Sequence, residues 1–272
     1  MLKYKEFVNE SSMSDIFSSL HGAIDDSKLI KLSDFIKKPN RLDIDESDLK
    51  KASEYLDIPQ DYFYYDPSNF MYPVIIWEGP LYYGFMGGNI EIETLKKMRA
   101  KEYLEKSKKS IDELVNRKDY GHLFAIMDKR ILIPSFIKMY HDIPDEKKYD
   151  VFIDLYVRSE YGFGKFPWEI IKDCFSKRFF SPSWKEGMEK FKKIVGDKEK
   201  IVVYRGVGSL SSKEDLAFSW TLSKKTAKFF SDRFGGPGKI IKKTISPEEV
   251  IDYLDSRGES EIILIPKKYK DQ

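Results

Sequence analysis

Cysteine and histidine are nearly missing from this sequence: Cys174, His21, His122 and His141 are all that 272 residues contain. A lone cysteine forms no internal disulfide and gives no sign of an oxidising compartment. So few thiol and imidazole groups, scattered along the chain, offer no zinc-binding spacing, so no metal is expected. The flanks Ile170-Ile171-Lys172-Asp173 and Phe175 make Cys174 a buried small hydrophobe by expectation. Long apolar runs are also lacking. No window approaches the roughly 20 apolar residues of a membrane helix. The start, Met1-Leu2-Lys3-Tyr4-Lys5-Glu6-Phe7, carries both charge signs and no apolar stretch, unlike a signal peptide. The expectation is a soluble, cytoplasmic protein with no membrane partner. Charge of one sign is not in excess either: 47 basic against 45 acidic residues leave a net +2. That balance excludes a surface built throughout to hold nucleic acid, while a local basic groove stays open. Internal repeats, low-complexity tracts and the dinucleotide-binding pattern G-x-G-x-x-G are absent.

What is present is enough chain for one large domain or two small ones, with a core that needs no disulfide or metal. Residues 1 to about 60 read as polar and helical, with turns at Lys38-Pro39-Asn40 and Ile58-Pro59. Leu49, Ala52 and Leu56 at helical spacing predict a helix over Ser47 to Leu56, with Ser47 as its N-cap. Aromatics then cluster. Tyr72 to Trp77 reads as a strand and Tyr82 to Met86 as its returning arm, a small hairpin near 62–88. Such a cluster is either core or a stacking surface for bases. One helix is expected over Glu91 to Asn116, with Met98 and Tyr103 among its apolar positions and lysines on the solvated face. Further helices are expected over Leu123 to His141, Asp145 to Glu160, Glu169 to Phe180 and Pro182 to Val195. At Gly196-Asp197 the texture changes to short strands and turns. The expected organisation is therefore α+β: a mainly helical region over 1–190, then a strand-rich core over 191–272.

Three segments of that core carry chemistry. Val202-Val203-Tyr204-Arg205-Gly206 is an apolar strand ending in an arginine and a glycine. Phe218-Ser219-Trp220-Thr221-Leu222-Ser223 precedes a helical pattern, Lys224 to Phe230. Arg257-Gly258-Glu259-Ser260-Glu261 places two carboxylates at i and i+2 before the apolar run Ile262 to Ile265. Singly each has a plain structural meaning: a surface arginine, a helix cap, solvated charges on one face at a strand edge. Together they suit cleavage of NAD. Breaking the nicotinamide–ribose bond develops oxocarbenium-like charge on the ribose, which a fixed carboxylate stabilises. An arginine grips phosphate with a planar fork, a serine braces both, and a glycine lets a ligand approach the backbone.

In this order and spacing the set resembles the R-S-E signature of the mono-ADP-ribosyltransferase family, in its arginine-targeting bacterial, phage and vertebrate branch. The resemblance covers roughly residues 200 to 268 and extends to nothing before about 190. It implies a split β-sandwich of two small packed sheets, NAD as a substrate, and four catalytic residues. Glu261 is then the catalytic carboxylate, Glu259 helps activate the acceptor, Arg205 contacts the dinucleotide and Ser219 steadies the site. Gly206, Trp220 and Thr221 also fall at the dinucleotide, although Ser219-Trp220-Thr221 departs from the family's Ser-Thr-Ser. Tyr253 and Arg257 fall on the acceptor-recognition turn. Tyr253 alternatively packs on Val250 in a short helix beginning at Ser246-Pro247-Glu248-Glu249. Gly235-Gly236-Pro237-Gly238 is either a loop beside the NAD cleft or a simple turn. Glu-x-Glu favours arginine side chains of proteins as acceptors, because a second carboxylate helps orient and deprotonate a guanidinium. A nucleic-acid base as acceptor, in a toxin of phage conflict, is the alternative; a glycohydrolase using water and a non-catalytic binding module are others. The first 190 residues are left to bind the acceptor, an inhibitor or an antitoxin.

Overall fold

A computed structural model describes residues 28–69, 72–76, 85–158, 164, 166–208, 211–233 and 238–269. The fold is α+β, with helices mostly toward the N-terminus and two antiparallel sheets. The chain forms two compact units: Met1–Ile143 with Arg158–Glu160, and Pro144–Val157 with Tyr161–Gln272. His21, Trp77 and the Tyr82-Tyr83 part of the expected hairpin lie outside the described residues, as does Gly235-Gly236-Pro237.

In the first unit, β1 (Ile30–Lys31), β2 (Phe63–Tyr65), β3 (Val74–Ile76) and β4 (Phe85–Gly87) form a four-stranded meander. The same unit holds α1 (Leu32–Phe35), α2 (Glu46–Leu56), α3 (Ile92–Lys97), α4 (Ala100–Asn116), α5 (Tyr120–Ile126) and α6 (Lys129–Met139). The hairpin expectation survives as β3 paired with β4, Ile75 opposite Met86. Phe63 and Tyr65 of the aromatic cluster lie in the core with Leu49, Ala52 and Leu56. The N-cap of α2 is Asp45 rather than Ser47. Asp45 and Asp48 exchange side-chain and backbone bonds in a capping box, which satisfies two free amides at the start of the helix.

The single helix expected over Glu91 to Asn116 is two. Arg99 takes a left-handed φ of 53° between α3 and α4. This turn resets the apolar stripe: Leu95 and Ala100 are buried, while Met98 and Tyr103 are 50% and 52% exposed. The Leu123 to His141 helix is likewise divided, because Asp128 caps a new start by accepting from the Arg130 amide at 2.9 Å.

The second unit holds α7 (Asp145–Arg158, as far as Val157), α8 (Trp168–Ser176), α9 (Pro182–Val195), β5 (Ile201–Val207), β6 (Ser219–Thr221), α10 (Lys224–Asp232), β7 (Lys239–Ile245), β8 (Val250–Leu254) and β9 (Glu261–Leu264). Its helices α7 to α9 all begin before residue 191, so this unit reaches further back than the core expected over 191–272. Where two small packed sheets were expected there, the described strands form one sheet in the order β7-β5-β6-β9-β8, antiparallel throughout. One face packs Trp220, Tyr253 and Ile262 against Phe191 and Val195 of α9. Cys174 is buried on α8, as its apolar flanks required.

Helix α7 serves the opposite face. Tyr149 and Tyr156 stand seven residues apart, two helical turns, and so share one side of the helix. The Tyr149 hydroxyl donates to Asp252 Oδ2 on β8 and the Tyr156 hydroxyl to Glu261 Oε1 on β9. Asp252 also accepts from the Tyr253 amide at 2.7 Å, yet burial pushes its carboxyl from 3.8 up to about 6. The folded protein thus keeps this proton to higher pH than the unfolded chain does. Stability present in acid falls as pH rises from about 4 to about 6, by about 3 kcal/mol from this group. Urea unfolding of wild type and Asp252→Asn at both ends of that window is the check: across it wild type should lose about 3 kcal/mol more than the variant, in which only the other raised carboxyl, Glu261, still acts in this direction. Parallel behaviour of the two would refute the assignment.

Candidate active site

The three segments singled out in the sequence sit on neighbouring strands, because the sheet places β6 between β5 and β9. Ser219 lies opposite Ile263 and Thr221 opposite Glu261. Alternation along a strand then fixes the faces: Ser219, Thr221 and Glu261 point away from the α9 core, Trp220 and Ile262 into it. Ser219 Oγ donates to Glu261 Oε1 at 2.5 Å. Arg205 Nη1 donates to the Ser219 carbonyl at 2.7 Å and Nη2 to Ser212 Oγ at 2.9 Å. Arginine, serine and glutamate are therefore one connected group.

Glu261 is only 6% exposed. Burial pushes its carboxyl up; the Ser219 and Tyr156 hydroxyls and the Arg257 charge oppose the rise, and Glu259 adds to it. Burial, then the Glu261 charge, holds the Tyr156 phenol well above its ordinary value, so it remains a donor. Burial also lowers Arg205. Its Nε is buried without a hydrogen-bond partner.

Glu259 reaches the site differently from the expected strand pattern. Strand β9 begins only at Glu261, and Glu259 belongs to the preceding turn, where Gly258 and Ser260 take φ values of 67° and 46°. The turn is fastened by the Ser260 amide on Asp255 Oδ1 at 3.0 Å and by Thr221 Oγ1 on the Glu259 carbonyl at 2.6 Å. It brings Arg257 Nη2 to 2.9 Å from Glu259 Oε2 and 3.8 Å from Glu261 Oε2. The two carboxylates already hold one guanidinium between them.

Four expected ligand contacts are corrected. Trp220 is 3% exposed and faces the α9 core, so it is not placed to touch a dinucleotide. Thr221 is buried and its hydroxyl is spent on the Glu259 turn. Tyr253 is 3% exposed, on a strand rather than a helix, and packs on Phe191 with ring centroids 5.9 Å apart; it is a core residue and not a recognition residue. Gly206 has a different reason to be glycine. A Cβ there would meet the Ala227 carbonyl oxygen of α10 at 2.0 Å, so the approach it permits is that of a helix. Ser246 to Glu249 does cap a turn, but the turn is a 3-10 helix that leads directly into β8.

Two contributors went unnoticed in the sequence, Ser212 and Tyr156. Ser212 carries no pattern at all. Tyr156 had a signal: Tyr149, Phe152 and Tyr156 form a helical apolar stripe, and a phenol inside such a stripe needs a polar partner. Among the described residues no cluster of His, Cys, Asp and Glu is suited to a metal ion. No helix of the described residues is long and apolar enough to cross a membrane. No protein-family model matches the chain, and no curated protein or solved structure matches it.

Proposed function

We propose that this chain is a mono-ADP-ribosyltransferase of the arginine-targeting kind, with an ADP-ribosyltransferase-like core, NAD as its substrate and Glu261 as its catalytic carboxylate. The observation that carries the reading is the connected group Arg205–Ser219–Glu261 on three adjacent strands. The donor set fits NAD. Arg205 supplies a guanidinium, the side chain whose planar fork suits a phosphate. Glu261, braced by two hydroxyls, supplies a fixed negative charge beside a ribose whose positive charge develops only in the transition state.

The reaction breaks the ribose C1′–nicotinamide bond, and nicotinamide leaves with the bonding electron pair. An acceptor nitrogen forms the new bond to C1′ and gives up a proton, for which Glu259 is the base. An arginine acceptor is favoured because the Glu259–Glu261 pair is already complementary to a guanidinium, that of Arg257.

With radiolabelled NAD and whole-cell lysate, the full chain should label macromolecules in a form that protease removes. Glu259→Gln should lose about tenfold or more of this transfer while still releasing nicotinamide. Label removed by nuclease instead would make the acceptor a nucleic acid. Nicotinamide without label would mean water is the acceptor. Neither product from wild type would sink the enzyme reading.

A further inference from the structure

The two oxygens of Glu261 have unequal surroundings. Oε1 accepts two hydroxyls, that of Ser219 from β6 and that of Tyr156 from α7. Its lone pairs are thereby filled. Oε2 faces Arg257 Nη2 at 3.8 Å, beyond hydrogen-bond length. Among the described residues, Glu259 on the turn, Asp252 on β8 and Arg205 on β5 also act electrostatically on Glu261.

We infer that Tyr156 is a positioning residue of this site: with Ser219 it anchors Glu261 through Oε1 and so reserves Oε2 for a sugar hydroxyl of the bound dinucleotide. The inference rests on the proposed function and adds to it a residue outside the R-S-E triplet. A carboxylate with one anchored oxygen cannot turn its plane freely, so the working oxygen is fixed before the ligand arrives. Both hydroxyls favour the ionised carboxylate against burial, which favours the neutral one. Tyr149 supplies an internal control. It makes the same phenol–carboxylate bond two turns earlier on α7, but to Asp252, which belongs to none of the three segments.

The experiment follows nicotinamide release from NAD against pH for the full chain as wild type, Tyr156→Phe, Tyr156→Leu and Tyr149→Phe. Either Tyr156 variant that folds should lose kcat by about tenfold or more. The acid limb of its profile should move to higher pH by about one unit, since one hydrogen bond to a charged group is removed. KM for NAD should change little, and Tyr149→Phe should keep both the rate and the limb. A Tyr156 variant with the wild-type rate and profile overturns the inference while leaving the proposed function standing. A wild type that releases no nicotinamide defeats the proposed function instead. The titration of Glu261, followed by carbon NMR in glutamate-labelled protein, then still decides the anchoring: an unchanged midpoint in Tyr156→Phe overturns it.

Discussion

Glu261→Gln is expected to lower nicotinamide release by about a thousandfold while leaving the fold intact. The substitution keeps the shape of the side chain. Its amide oxygen can accept the Ser219 and Tyr156 hydroxyls that Glu261 Oε1 accepts now. What disappears is the negative charge, at a place largely shielded from solvent: Glu261 is buried and its carboxyl is pushed up for that reason. The same burial makes the charge a liability to the folded state. The variant should therefore unfold at the same urea concentration as wild type at neutral pH, or a higher one. Loss of turnover with retained stability is the combination that identifies a charge kept for chemistry. Wild-type rates in Glu261→Gln would remove this carboxylate from the mechanism, and loss of the fold would make it structural.

Gly206→Ala is expected to destabilise the protein by about 3 kcal/mol or more. The added Cβ would lie 2.0 Å from the Ala227 carbonyl oxygen and 2.6 Å from the Ser231 amide nitrogen. Both are backbone atoms of α10, and neither can rotate out of the way. Gly238 on the β7 side is equally tight, at 1.9 Å from the Ser231 carbonyl oxygen, so the helix is pressed onto the sheet through two glycines. Either α10 lifts or β5 bows, and in both cases Arg205, the preceding residue, moves. Urea unfolding should give a lower midpoint with an unchanged slope. Gly121→Ala is the control: nothing lies within 4 Å of its added methyl, and alanine in helix α5 should stabilise by about 0.5–1 kcal/mol. Equal stability of Gly206→Ala and wild type would refute the close packing of α10 on β5.

The parts of this fold legible in the sequence are those set by local rules. Leu49, Ala52 and Leu56 marked α2 by their spacing, Gly196-Asp197 marked the entry to the strands, and the flanks of Cys174 marked it as buried. The helix breaks at Arg99 and Asp128 were missed because the apolar residues on either side also satisfy one long helix. Only tertiary packing decides that Ala100 is covered and Met98 is not. In the site, order and residue type brought out Arg205, Ser219, Glu259 and Glu261. Trp220 and Tyr253 were misplaced because a motif names a stretch of chain, whereas a strand sends alternate residues to opposite faces. Tyr156 lies 105 residues from Glu261, a separation over which no local pattern operates.

Strands β5 and β6 are paired at one position, Tyr204 opposite Thr221. Beyond it, the ladder is replaced by a side chain: the Arg205 guanidinium reaches across to the Ser219 carbonyl. The sheet therefore has a seam between its arginine-bearing and serine-bearing strands, and Arg205 is the stitch that closes it. A ligand that draws this guanidinium toward itself also loosens the joint between the two halves of its own site. Shortening the side chain at 205 removes the stitch from the sheet, so the ligand grip proposed for Arg205 and the rigidity of this seam fall on a single residue.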